Sequence, residues 1–187
     1  MRILLTALLV ALVAVYASAK KASKGAHCFA TKATAAKEEK ANDGLPYAAT
    51  TATAKVALKV WESADADWKF KLDFAISKPD DNSKPIIAAH VHAGNSTTSG
   101  APIVFFCGQS PFPVTGAQLP GLPVCDQKKT GVYHGLFSLN FGGSALYATE
   151  AAFVHKLLKD PGIFYVNFHS DADVNGVIRG QLRKTKC

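Results

Sequence analysis

Acidic residues are scarce in this chain of 187: 14 Asp and Glu stand against 21 Lys and Arg, for a formal charge of +7. Beyond the first 19 residues no apolar run is long enough to cross a bilayer, so no membrane span is expected. No Cys-x-x-Cys spacing occurs, which argues against a structural zinc site of the finger type. A glycine loop for phosphates, a Ser-His-Asp arrangement and a paired-carboxylate glycosidase site are missing too, and with them the signals for nucleotide, acyl-transfer and glycosidase chemistry. The early lysines (Lys20, Lys21, Lys24, Lys32, Lys37 and Lys40) have no interleaved aromatics on which bases would stack, so a nucleic-acid partner is not expected. Such a basic segment is either a solvated leader or a contact for polyanions such as acidic polysaccharide.

What is present begins with a secretory pattern over residues 1–19. Arg2 supplies the charge, Ile3 to Val15 the apolar stretch, and Ala17-Ser18-Ala19 the small-residue cleavage site. The chain then divides into an Ala/Lys-rich segment at 20–46, read as a frayed helix or linker, and one domain at 47–187. In an exported chain, Cys28, Cys107, Cys125 and Cys187 point to two disulfides. Three pairings are possible. The favoured one joins Cys107 to Cys125 across a Pro/Gly-rich loop, and Cys28 to Cys187 to tie the two ends.

Period-2 alternation runs through the domain. Val56, Leu58 and Val60 alternate with Lys55, Ala57 and Lys59; Trp68, Phe70, Leu72, Phe74 and Ile76 alternate with Lys69, Lys71 and Asp73. Asp65-Ala66-Asp67 lies between these runs as a hairpin turn. Further strands are expected at 85–94, 101–107 and 131–141, and a helix over 147–158, ended by Asp160-Pro161-Gly162. Residues 163–169 and 177–182 form a closing hairpin around Asn175-Gly176, with Tyr165, Asn167, His169, Arg179 and Gln181 on a polar face. Seven or so short strands and one helix predict an all-β protein: a Greek-key β-sandwich, superoxide-dismutase- or immunoglobulin-like, with the short helix in a crossover.

Chemistry concentrates on that polar face. His90 and His92, two apart on one strand, point to the same side and can converge on one ion. With His169 and His134 they make a candidate set for copper or zinc. The alternative is that each histidine is bonded to backbone at a strand edge. Arg179 either satisfies loop carbonyls or stands as a fixed cation beside a site, with Asn167, Tyr165 and Gln181 as further binding candidates. Asp171, Asp173 and Asn175 look like the start of a calcium loop, but the twelfth position holds Leu182 rather than a carboxylate, so turn chemistry is the reading. Asn95-Ser96-Thr97 is a glycosylation sequon in the loop after the His-x-His strand.

Ala89-His90-Val91-His92-Ala93-Gly94, then Gly100-Ala101-Pro102-Ile103-Val104, and later Gly162 to His169 and Gly176 to Leu182, resemble the CHRD domain, the repeat of chordin, over roughly Ala48 to Leu182. The resemblance implies a secreted β-sandwich module that binds an extracellular protein or a matrix or polysaccharide ligand and is largely without enzymatic activity. One departure is Val177, where the family usually has Glu; this removes an acidic partner for Arg179 or a nearby histidine. A more distant similarity is to copper/zinc superoxide dismutase, whose copper is held partly by a His-x-His strand. His90, His92, His169 and Arg179 fit that pattern, yet no histidine between Gly94 and Gln118 supplies the bridging or zinc ligands. The implied alternatives to a binding module are a copper redox protein with a mononuclear histidine site, or a structural wall or matrix component.

Overall fold

A computed structural model of the chain describes residues 25–38, 51–77, 86–108, 121–125, 130–138, 146–170 and 176–187. The secretory leader, Lys20, Lys21, Lys24 and Lys40, and the Asp171 to Asn175 turn lie outside the described residues.

Nine strands are described: β1 (His27–Thr34), β2 (Thr53–Glu62), β3 (Trp68–Ser77), β4 (Ile86–Ala93), β5 (Pro102–Gly108), β6 (Thr130–Phe137), β7 (Phe164–Ser170), β8 (Ile178–Gln181) and β9 (Arg183–Thr185). They form one sheet in the order β2-β3-β6-β5-β4-β7-β8-β1-β9, and a further pairing of β1 with β2 closes eight of them into a barrel-like ring. Every pairing among the described strands is antiparallel. Closure removes most of the exposed strand edge that an open sheet would leave for aggregation.

The alternation of β2 and β3 works as the sequence suggests. Val56, Leu58, Val60, Phe70, Leu72, Phe74 and Ile76 turn inward, and the lysines turn out. The Ser63 N–H donates to the Asp67 carbonyl at 2.7 Å and Ala66 takes a φ of 65°, closing the expected hairpin. Phe29, Phe106, Phe164 and Phe168 fill the interior from β1, β5 and β7, each contributing roughly 1.5–3 kcal/mol by burial. One helix, α1 (Glu150–Lys159), starts where the Thr149 hydroxyl accepts the Ala152 N–H at 3.1 Å. It sets Phe153 among Phe70, Phe137, Tyr147 and Phe164.

Residues 27–34 correct the frayed-helix or linker reading of the basic segment. They form β1, which pairs with β2 along its whole length and buries Phe29 and Ala33. Their Ala/Lys composition hid a strand whose alternation is carried by only two buried side chains, Phe29 and Ala33, of which only Phe29 is large. Both favoured disulfides are present, Cys28–Cys187 and Cys107–Cys125. The first fastens β9 to β1.

Candidate metal centre

β4 and β7 lie side by side, with Ala88 opposite His169, His90 opposite Asn167 and His92 opposite Tyr165. Cross-strand partners share a face. One face of this pair, Val91, Val166 and Phe168, belongs to the hydrophobic core. The other collects His90, His92, His169, Asn167 and Tyr165, and β8 extends it with Arg179 opposite Asn167 and Gln181 opposite Tyr165.

That polar face is covered. Arg179 is wholly buried, and its guanidinium donates to the carbonyls of Asn95 at 2.7 Å and Thr98 at 3.2 Å, to Gln181 Oε1 at 3.2 Å and to Ser99 Oγ at 3.4 Å. Gln181 Nε2 donates to the carbonyls of Gly94 at 2.9 Å and Gly162 at 2.8 Å. These two side chains therefore strap the 94–100 loop over the β4–β7–β8 face. Gly94 adopts a φ of 142° at the entry to the loop, where a Cβ would run into the Thr98 carbonyl oxygen and the Tyr165 ring. Asn95 is exposed, and its Oδ1 accepts the Thr97 N–H at 2.9 Å, so the sequon sits at the outer surface of this cover.

Beneath it, His90, His92 and His169 offer one ring nitrogen each, all within 4.8 Å of one another. Ring centroids are separated by 4.9 Å for His90–His169, 5.4 Å for His90–His92 and 5.8 Å for His92–His169. Phe105 meets the His90 ring edge-on at 4.8 Å, and Tyr165 stacks on His92 at 5.0 Å. Behind Tyr165, the Arg179 guanidinium carbon lies 3.5 Å from the ring centroid.

His92 shows how a ligand is oriented. Its Nδ1 is 2.9 Å from the Gly100 carbonyl oxygen, which can only accept, so Nδ1 carries the proton and Nε2 keeps its lone pair. His92 Nε2 is buried with no hydrogen-bond partner among the described residues. A backbone carbonyl that fixes the tautomer of a ligand imidazole is the usual outer support of a metal site. The electrostatics agree. Burial, and then the neighbouring His169 and His92, hold His90 well below the ordinary imidazole range. Burial first and His169 second bring His92 down to about 3, with Arg179 adding to the shift and the Gly100 hydrogen bond opposing it. Neutral imidazoles are the form that binds metal.

Three of the four candidate ligands thus meet. His134 does not: it is exposed on β6, opposite Lys71 of β3, and outside the cluster. The strand order explains this, since β5 separates β6 from β4. Tyr165 and Arg179 support the cluster, Gln181 fastens its cover, and Asn167 is buried between His90 and Arg179 in register. Sequence reasoning missed the part of Gly100, whose carbonyl orients His92, and of Phe105; the glycines at both ends of the 94–100 loop were the available signal.

The sequence profile of the CHRD domain matches residues 33–182. Neither the curated proteins nor the solved structures give a significant match. The matched span takes in every strand from β2 to β8, both histidine-bearing strands among them, and the chain belongs to the CHRD domain family.

Proposed function

We propose that this chain is an exported CHRD binding module that holds one copper ion at His90, His92 and His169. CHRD domains are extracellular binding modules, and two disulfides suit that setting. The observation that carries the metal reading is the buried convergence of three ring nitrogens within 4.8 Å, one of them oriented by a backbone carbonyl. Divalent copper binds a given nitrogen ligand set more tightly than zinc does, so intrinsic affinity favours copper at these three imidazoles. The three imidazoles are only 5–8% exposed, which supports retention of an ion rather than turnover, since a redox enzyme needs an open coordination position facing a cleft.

The test is metal analysis of the purified protein, followed by copper and zinc titration of wild type against His90→Ala, His92→Ala and His169→Ala. One equivalent of copper bound by wild type, and at least about tenfold weaker binding in each variant, is the expected outcome. Equal metal content in all four proteins would remove the metal from the reading and leave the binding module.

A further inference from the structure

The barrel wall made by β9, β1, β2, β3 and β6 carries a second site. Its outward residues follow from the register. Lys32 stands directly opposite Lys55, Lys59 directly opposite Lys71, and Ala30 lies between Arg183 and Ala57. Like charges placed opposite each other on one sheet face destabilise it. Here two such pairs occur on one face. Among the described residues, Asp73 is paired with Lys71 at 3.1 Å, while Lys32, Lys55 and Lys59 have no carboxylate partner.

Between these cations the wall carries a shallow, open depression. A groove of about 840 Å³ crosses it, floored by small residues such as Ala30, Ala57, Ala75 and Gly131. Among the described residues, Lys32, Lys55, Arg183 and Lys184 line it against one carboxylate, that of Asp73. The groove spans five strands, which at about 4.8 Å per step is roughly 19 Å. That length fits an extended chain better than one small anion. The Cys28–Cys187 bond holds β9, with Arg183 and Lys184, at one rim.

The geometry points to a binding groove for an acidic polysaccharide, a linear glycan bearing sulfate or carboxylate groups. A floor of alanine and glycine gives bases nothing to stack on, which argues against single-stranded nucleic acid. The sequence placed polyanion contact on the lysines of residues 20–40; among the described residues, Lys32 of that group lines the groove, beside cations from β2 and β9. The inference is independent of the metal centre, which lies on β4 and β7.

The test measures binding of the full disulfide-bonded chain to heparin and to polygalacturonate from 50 to 300 mM NaCl, with single-stranded DNA and phosphatidylserine vesicles as competing surfaces. Lys32→Ala/Lys55→Ala is compared with Lys156→Ala/Lys159→Ala, which removes the same charge from α1. The groove variant is expected to bind the preferred glycan about tenfold more weakly, with a log Kd against log salt slope shallower by about 2. The helix variant should lose less than about threefold. Removing a repulsive pair should leave the groove variant at least as resistant to urea as wild type, so weakened binding cannot be put down to unfolding. Preference for heparin identifies sulfate as the recognised group, and preference for polygalacturonate identifies carboxylate. Failure to bind either glycan at 50 mM NaCl, equal losses in the two variants, or tighter binding to DNA or vesicles would overturn the proposal.

Discussion

Arg179 is the residue on which the covered face depends. Its guanidinium donates to two loop carbonyls and to the Ser99 and Gln181 side chains while stacking on Tyr165, which in turn stacks on His92. Lysine offers one compact ammonium and cannot both stack and fork. Arg179→Lys is therefore expected to lower stability by about 1–3 kcal/mol in urea titration, because buried carbonyls lose donors. Copper affinity should fall with it, since the 94–100 loop carries the Gly100 carbonyl that orients His92. Unchanged copper affinity would mean that the loop is held without Arg179. From the sequence, this arginine had two readings, a fork for loop carbonyls or a cation beside a site. The structure gives it the first role at the position of the second. The pairing of Arg179 with a loop more than 80 residues earlier could not be read from local spacing.

Among the elements, strands with one wet face were legible and strands outside that pattern were less so. The alternation of β2 and β3 directly displays their inner and outer faces. His90, His92 and His169 were placed on a common wall because β4 and β7 carry polar residues at period two, although both strands are buried on both sides. His134 lies apart from the other histidines because strand neighbours are set by long-range closure rather than by sequence order, whereas β1 is hidden by its Ala/Lys composition. The Cys28–Cys187 bond joins residues 159 apart, whereas Cys107–Cys125 spans 18. The chain-entropy account gives about 5 kcal/mol for the longer loop and about 3 for the shorter, as upper estimates. Cys28→Ser/Cys187→Ser should thus be the more destabilising double substitution in chemical denaturation. It should also raise hydrogen exchange selectively in β9 and the first half of β1. If removing the shorter bridge destabilises more, native packing rather than loop closure governs both bonds.

For the molecule as a whole, neutral buried imidazoles tie stability to pH and to metal together. His92 titrates near 3 in the folded chain, and an unfolded imidazole near its ordinary value of 6.5. Between those values the unfolded state binds the extra proton, so the metal-free fold loses stability as pH falls from about 6.5 toward 3, by up to about 1.4 kcal/mol per pH unit for each such group. His90, lowered in the same direction, adds to the slope. Copper acts oppositely at neutral pH, adding about 2.7 kcal/mol when free ion stands at 100 times its Kd. That gain should persist well into acid, because His90 and His92 stay neutral in the fold well below the ordinary imidazole range, His92 until the pH approaches about 3, and only there do protons compete with the ion for the same lone pairs. Urea midpoints of wild type and His92→Gln, each with and without copper at pH 7, 5 and 4, separate these effects. Wild type without copper should lose its advantage over His92→Gln as the pH drops, whereas the extra advantage that copper confers should persist from pH 7 to pH 4. Parallel pH slopes for the two proteins would mean that His92 takes up its proton as readily in the fold as in the unfolded chain, so that its Nε2 is not the buried, unpartnered lone pair on which the metal reading rests.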